Sequence, residues 1–148
     1  MIVGVDNGLD GGLTAISVYT GAIIDKTIMP TLQRSKRREV DTRKVYEWLM
    51  MLETPFLFAV EAVRSMGISF GKLLGLAESR QWETKCVSVQ KWQKKMLGFV
   101  PKGKTKEAAL WKAESLAPEE CWQKSKRASK AHDGMVDAFL IARYIRGE

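Results

Sequence analysis

Three short apolar runs punctuated by glycine occupy the first 29 residues, and they constrain the fold of the whole chain. Runs of this length with tight turns between them predict an antiparallel meander of three strands. Two more apolar runs follow at 55–63 and 85–89, each next to segments with helical spacing. The pattern therefore predicts an α/β fold, in which a mixed five-stranded sheet carries helices on both faces.

The predicted elements alternate in type after the meander. The predicted strands are 1–6, 12–19, 21–29, 55–63 and 85–89, and the predicted helices are 41–53, 67–82, 90–97, 105–117 and 133–146. Residues 31–40 are predicted to form a basic loop, and 118–132 an irregular basic segment. With 148 residues, the chain is expected to form one domain over residues 1–148.

Charge narrows the choice of partner. The net charge is +7, and residues 84–131 hold 12 basic but only 4 acidic side chains. A positive field concentrated in one part of the chain favours a polyanion, because lysines and arginines release counterions from phosphates. No apolar run is long enough to span a bilayer, and no export signal is visible, so we expect a cytoplasmic protein. The two cysteines are expected to be reduced thiols.

Four carboxylates stand where structure alone would not favour them. Asp6 and Glu61 each end an apolar strand, while Asp133 and Asp137 open the last helix. The i, i+4 spacing places Asp133 and Asp137 on one helix face. If the first and fourth strands are neighbours, Asp6 and Glu61 also meet at one edge of the sheet. Asp137 lies among apolar residues, where a carboxylate is costly unless it is paired or bound to metal.

Each of the other three acids has a structural alternative. Asp133 could be a helix N-cap, and Asp6 could be a turn residue. Glu61 could reach solvent from the end of its strand. One shared cause explains all four acids better, since clustered carboxylates repel one another unless a cation compensates. Oxygen ligands select Mg²⁺, for which Mn²⁺ can substitute, and two such ions can hydrolyse a phosphodiester.

The chain resembles the RNase H-like superfamily, and within it the RuvC-type Holliday-junction resolvases, especially phage versions. The resemblance covers most of the chain in the family's order, and its most specific motif is "HDGMVDAFLIARY". The other matching stretches are "GVDNGLDGG", "EAVRSMGISFGKLLGLAES", "VSVQKWQKKML" and "KTKEAAL".

The resemblance implies an activity and a set of active-site residues. The activity is Mg²⁺-dependent, structure-selective cleavage of four-way DNA junctions, with two ions per site, leaving a 5′-phosphate and a 3′-hydroxyl. The residues implied as metal ligands are Asp6, Glu61, Asp133 and Asp137, with Asp6 as the bridge. Lys106 resembles the catalytic lysine of the family, and Lys104 is a second candidate. The last acidic pair is spaced by four rather than three, so His132 is an alternative fourth group.

The resemblance also implies DNA contacts and a homodimer. Phe70, after Ser69, corresponds to an aromatic residue that probes junction bases, although it could equally be a core residue. The basic residues expected to contact DNA are Lys36, Arg37, Lys102 and Lys104. Glycines recur every four residues along the second helix, at 67, 71 and 75, which suggests close packing. The family forms its homodimer through this region, here helix 68–83, and intramolecular packing on the sheet is the alternative.

Three other functions compete with junction cleavage. Sugar kinases and actin-like ATPases also begin with an Asp-x-Gly turn that binds phosphates, but their two lobes need more chain than 148 residues. A basic DNA-binding module without catalysis would not need the four acids. Another RNase H-like two-metal nuclease, acting on branched DNA or an RNA–DNA hybrid, stays open. No small-molecule cofactor and no membrane partner are expected. Gly8, Gly11 and Gly12 are expected to keep the sheet edge low for a phosphate backbone.

Overall fold

Seven strands and five helices form the structure, a computed structural model that describes residues 1–52, 56–62 and 67–148. The strands are β1 (Ile2–Asp6), β2 (Gly12–Ile16), β3 (Ile23–Ile28), β4 (Thr31–Arg34), β5 (Arg37–Val40), β6 (Leu57–Ala62) and β7 (Thr84–Ser88). The helices are α1 (Thr42–Met50), α2 (Ile68–Ser79), α3 (Val89–Leu97), α4 (Thr105–Leu116) and α5 (Asp133–Arg146). Three end positions of the predicted elements, 53, 55 and 63, lie outside the described residues.

The main sheet has the strand order β3-β2-β1-β6-β7. Strands β1, β2 and β3 are antiparallel neighbours, which confirms the predicted meander, and β6 and β7 run parallel to β1. The predicted mixed sheet of five strands is therefore confirmed. Because parallel neighbours end at the same edge, β1 and β6 bring their carboxyl ends together.

Side chains of the central strands alternate between two cores. Val3 and Val5 of β1 pack into the core beneath α1 and α2, while Ile2 packs into the core beneath α3, α4 and α5. The period of two follows from the pleat of a strand. Asp6 continues the series of Ile2 and Gly4, so its side chain belongs to the α5 face of the sheet.

The basic segment 31–40 is a β-hairpin, so the predicted loop is wrong. Strands β4 and β5 pair antiparallel from Thr31↔Val40 to Arg34↔Arg37, and Ser35 at the tip has φ of 55°. The Lys72 ammonium of α2 binds the Glu39 carboxylate at 3.2 Å and the Val40 carbonyl at 2.6 Å. The hairpin is held by cross-strand backbone bonds and these contacts rather than by an apolar face, so its sequence lacks strand periodicity.

Helix α5 is the central helix of the fold. It lies against β1 and β2, and its buried residues include Phe139, Leu140 and Ile141. Gly147 ends it in a left-handed conformation with φ of 109°, which confirms the predicted cap. Over the described residues, no helix is both long enough and apolar enough to cross a membrane.

Candidate active site

Asp6 and Glu61 lie side by side at the carboxyl edge of the sheet. The register pairs Val5 of β1 with Val60 of β6, so the next residue on each strand is one of the two acids. Glu61 lies two residues after Ala59, which packs into the α5 core, and its side chain therefore takes the same face as Asp6. This register brings Asp6 and Glu61 together at one edge of the sheet, as expected if their strands are neighbours.

Close backbone contact brings α5 to the same edge. A Cβ atom added at Gly4 would lie 2.0 Å from the Ala138 carbonyl oxygen, and one at Gly134 would lie 2.3 Å from the Gly11 backbone. Real side chains cannot occupy such spaces. The absence of side chains at Gly4, Gly11 and Gly134 thus allows α5 to lie directly on β1 and the β1–β2 turn. The Thr14 hydroxyl, which donates to the Met135 carbonyl at 3.1 Å, anchors the start of the helix.

This packing corrects the interpretation of the glycine turn. A Cβ at Gly12 would meet the Gly134 backbone at 2.8 Å, so Gly11 and Gly12 are covered by α5 rather than open to a phosphate. At Gly8 the added atom would meet only ordinary contacts, the nearest being Asp6 Oδ1 at 3.5 Å. Gly11 and Gly12 therefore serve the approach of a helix rather than that of a phosphate.

The four acids interact electrostatically. Burial, and then the negative charges of Asp6, Glu61 and Asp133, raise the pKa of Asp137 to about 7. Burial also raises the pKa of Asp6, and the charge of Asp133 adds to this rise. The pKa of Glu61 is raised by burial and by Asp6. Such mutual effects require proximity, so residues far apart in sequence form one acidic cluster.

Two of these acids are oriented by hydrogen bonds. The Trp92 indole N–H of α3 donates to Glu61 Oε1 at 2.8 Å, and the Trp92 side chain is fully buried. The Gly8 amide donates to Asp6 Oδ1 at 3.1 Å. Next to them, the Asn7 side-chain amide donates to the Glu61 carbonyl at 2.8 Å. These bonds fix one oxygen of each carboxylate and leave the other available.

Lys106 and Asp133 form an ion pair at the rim of the cluster, with Nζ 2.5 Å from Oδ2. The hydrogen bond to Asp133 and its charge raise the pKa of Lys106, so the lysine is cationic at neutral pH. Lys104 instead pairs with Glu107 of its own helix at 2.9 Å. Of the two lysines considered from the sequence, Lys106 is thus the one in contact with the acids.

His132, and not Asp133, is the N-cap of α5. Its ring Nδ1 accepts a hydrogen bond from the Met135 amide at 3.3 Å, and Asp133 is the first residue of the helix. The N-cap alternative for Asp133 is therefore wrong. The Asp133 side chain is about half exposed and carries its charge at the helix N-terminus, where the helix dipole favours an anion.

The acidic cluster has the donor chemistry of a magnesium site. All four side chains offer oxygen ligands, and burial together with the three neighbouring carboxylates raises the pKa of Asp137. Within the described ranges, no three His, Cys, Asp or Glu side chains converge closely enough to hold an ion in this conformation. Metal binding would therefore need rotation of these side chains toward a common point.

The residues predicted to contact DNA differ in their accessibility. Lys36 and Arg37 at the hairpin tip and Lys102 in the α3–α4 loop are exposed. Phe70, however, is only 6% exposed and packs in the core beneath α2, while Ser69 is half-buried. Phe70 thus occupies the core position that the sequence left open as its alternative, and stacking on a base would require the ring to leave that core.

Sequence reasoning missed Trp92 and the pair of Arg38 with Asp10. The Arg38 guanidinium lies 2.5 Å from Asp10 Oδ1 and joins the hairpin to the β1–β2 turn. The indole of Trp92, in a short helix that follows a strand, was visible in the sequence as a possible hydrogen-bond donor. Its partner, Glu61, is 31 residues away along the chain and could not be identified from it. The Arg38 partner is 28 residues away. Only the tertiary structure identifies such pairs.

Solved RuvC structures share this fold. The structure of Thermus thermophilus RuvC in complex with a Holliday junction substrate has a TM-score of 0.61 and 15% identity, covering 98% of this chain and 94% of that one. Another T. thermophilus RuvC structure has a TM-score of 0.51 and 14% identity, with the same coverage. No protein-family model and no curated protein matches the chain. The predicted RNase H-like architecture is confirmed, and at these identities the likeness concerns the fold.

Proposed function

We propose that this protein is a Mg²⁺-dependent, structure-selective endonuclease that cleaves four-way DNA junctions. The observation that carries the proposal is that Asp6, Glu61, Asp133 and Asp137, from two strands and one helix, lie near enough to interact electrostatically at one edge of the sheet. Burial, and then the negative charges of the other three acids, raise the pKa of Asp137 to about 7. An acidic cluster of this kind on a chain of net charge +7 suits a nuclease that binds a polyanion and needs a divalent cation.

The four acids would hold the metal, most simply as two Mg²⁺ ions, for which Mn²⁺ could substitute. Bound there, the metal would supply an activated water and stabilise the leaving oxygen of the phosphodiester. Trp92 holds Glu61 in one orientation through the bond to Oε1. Lys106, which pairs with Asp133, would keep a cation beside the scissile phosphate. The exposed residues Lys36, Arg37, Lys102 and Lys104 would contact the DNA backbone.

A homodimer through α2 belongs to the same proposal. Cβ atoms added at Gly67, Gly71 and Gly75 would meet no atom of the described residues within 4 Å, so the alternative that this face packs on the protein's own sheet is wrong for the part of the chain that the structure describes. Ile68 beside them is 64% exposed. An open glycine face with an exposed apolar neighbour supports contact with a second copy, and two-fold symmetry matches a junction that needs two symmetric cuts.

Cleavage of labelled substrates tests the proposal. A synthetic four-way junction, a linear duplex and an RNA–DNA hybrid are incubated with the protein in Mg²⁺ or in EDTA. We expect nicks in the junction alone, and only with Mg²⁺. Equal cutting of the hybrid would instead support another RNase H-like nuclease.

The variant Asp6→Asn tests the site itself. Loss of the Asp6 carboxylate at the end of β1 should reduce cleavage at least 100-fold. Junction binding should persist, since Asp6 would hold metal rather than DNA. Glu114→Gln, a neutral replacement of an exposed acid on α4, is the control and should cut normally. Normal cleavage by Asp6→Asn would contradict the acidic site.

A further inference from the structure

The segment between α4 and α5 forms a loop with fixed ends, here called the 122–132 loop. The His132 amide donates to the Trp122 carbonyl at 2.7 Å and so closes the loop at its base. Trp122 is 3% exposed, and its ring centroid lies 5.2 Å from that of Phe139 in α5. Compact loops with adjacent ends hold their side chains in defined positions and are frequently functional. The irregular segment predicted from sequence is thus anchored to the helix that carries Asp133 and Asp137.

The loop presents cations without acidic partners. Its basic residues, all exposed, are Lys124, Lys126, Arg127 and Lys130. None of the four forms an ion pair within the described part of the chain. By contrast Lys26 and Lys72, elsewhere on the surface, are paired with Glu120 and Glu39. The loop therefore keeps its positive charge available for an external anion.

Three of these cations surround a cavity of about 410 Å³. It is lined by Lys124, Arg127 and Lys130, together with His132 and small residues, and no acidic residue among residues 1–52, 56–62 and 67–148 lines it. Because His132 Nδ1 already accepts the Met135 amide, the neutral ring carries its proton on Nε2, a further donor. The volume lies within the roughly 300–1,000 Å³ of small-ligand clefts. A lining of donors and cations selects an anion.

The cavity lies beside the acidic cluster. His132 lines the cavity and directly precedes Asp133, the first residue of α5. Gly134, the next residue of that helix, forms a backbone bridge with Gly11 of the β1–β2 turn. The cavity therefore lies beside the end of α5 that carries Asp133 and contacts the β1–β2 turn.

We propose that this cavity binds a backbone phosphate of the DNA, one that neighbours the phosphate cut at the acidic cluster. The inference rests on the proposed nuclease function and extends it to a binding site that positions the strand. Duplex DNA carries one negative charge per roughly 1.7 Å of helix axis, so a strand at the acids necessarily brings other phosphates to adjacent surfaces. Three unpaired cations beside the cluster also offset the repulsion between its carboxylates and the DNA.

Binding of a labelled four-way junction to a triple variant tests the site. The variant combines Lys124→Gln, Arg127→Gln and Lys130→Gln, and the control combines Lys44→Gln, Arg80→Gln and Lys85→Gln, which removes the same three charges from exposed positions elsewhere. Fluorescence anisotropy is measured in EDTA over a range of salt concentrations. Melting temperatures show that both proteins are folded.

We expect the loop variant to bind roughly 10-fold more weakly at low salt, with the slope of log K against log salt reduced by about 1, as for one lost phosphate contact. The control variant should bind the junction with an affinity within about threefold of that of the wild type. Equal binding by the loop variant and the wild type, or an equal loss in the control, would overturn the proposed site.

The two proposals fail separately. If the wild type cuts the junction but the loop variant binds normally, the cavity assignment is wrong and the nuclease assignment stands. If the loop variant loses binding but the wild type cuts nothing with Mg²⁺, the phosphate site stands and the nuclease assignment is wrong. Failure of the wild type to bind DNA would contradict both.

Discussion

At the scale of single residues, the orientation of Glu61 in the acidic cluster depends on one hydrogen bond from a buried side chain of α3. Trp92 is fully buried, yet its indole N–H reaches Glu61 Oε1 at 2.8 Å. Groups that orient metal ligands in this way commonly change metal affinity or activity by 10- to 100-fold when they are removed. Trp92 is therefore a positioning residue for the proposed metal site.

Trp92→Phe should raise the Mg²⁺ concentration for half-maximal cleavage by roughly 10-fold or more, because Glu61 loses its donor while an aromatic ring remains in the core. The measurement is a Mg²⁺ titration of the nicking rate. Trp111→Phe, at an indole that is 70% exposed, is the matched control and should leave the titration unchanged. A purely structural role for Trp92 would lower the melting temperature without shifting the Mg²⁺ requirement.

The pKa of about 7 for Asp137 predicts a pH-dependent stability in EDTA. The folded-state pKa lies above the ordinary value of 3.8, so the folded protein binds this proton more tightly than the unfolded chain does. The stabilisation is complete below about pH 4 and is lost as the pH rises toward about 7. The melting temperature of the metal-free protein should therefore fall between about pH 4 and pH 7 and level off above that range.

Asp137→Asn should weaken this fall, since the amide does not ionise, whereas Glu114→Gln should retain it. Mg²⁺ added at pH 8 should raise the wild-type melting temperature, because the cation compensates the ionised cluster. Thermal unfolding at a series of pH values measures both effects. A fall of equal steepness in Asp137→Asn and the wild type would show that Asp137 is not the responsible group.

At the scale of elements, the position of α5 decides whether a site exists. Asp133 and Asp137 reach the sheet edge because glycines at 4, 11, 12 and 134 let the helix lie on β1 and the β1–β2 turn. The glycines at 67, 71 and 75 along α2 have a different environment, since added Cβ atoms there would meet nothing within 4 Å among the residues that the structure describes. The same residue type therefore serves internal packing in α5 and an open surface in α2.

Gly134→Ala should lower the free energy of unfolding by about 1–3 kcal/mol, because its Cβ would lie 2.3 Å from the Gly11 backbone. Cleavage should fall about 100-fold as Asp133 and Asp137 shift from the strand acids. Gly71→Ala is the control on an open helix face, where better helix propensity should stabilise the protomer by up to about 1 kcal/mol. Denaturant unfolding and nicking rates measure these effects, and wild-type values for Gly134→Ala would contradict the close approach.

At the scale of the whole molecule, positive segments from distant parts of the chain surround the acidic cluster. Arg38 of the hairpin contacts Asp10, and Lys106 of α4 contacts Asp133. The 122–132 loop adds Lys124 beside the same turn. The acids would hold metal while these cations would hold DNA, and the α2 face on the other side of the sheet would be available to a second copy.

Gly71→Arg should convert the proposed dimer to a monomer, because a large cation on the open α2 face would prevent a second copy from approaching. Met51→Arg adds the same charge at a side chain that is 75% exposed outside α2, and should remain dimeric. Sedimentation velocity reports the oligomeric state, and a labelled junction reports whether nicks occur in symmetric pairs. A monomeric wild type would contradict the dimer, and paired nicking by a monomeric Gly71→Arg would show that pairing does not depend on it.

The sequence alone determined the five sheet strands, the helices and the identity of the four acids. These features depend on local periodicity and on residue type, both of which are visible in a single chain. The short hairpin 31–40 escaped prediction because it is stabilised by pairing with itself and by Lys72, and not by an apolar pattern.

Only the tertiary structure decided what each residue contacts. It placed Phe70 in the core and showed that His132 is the N-cap of α5. It also showed that Gly11 packs against Gly134 and is therefore not open to a phosphate. It also joined Trp92 to Glu61. The physical reason is common to all these cases. Periodicity specifies which face of an element is buried, whereas contacts between residues distant in sequence depend on how closely the packed elements approach, which here a few glycines determine.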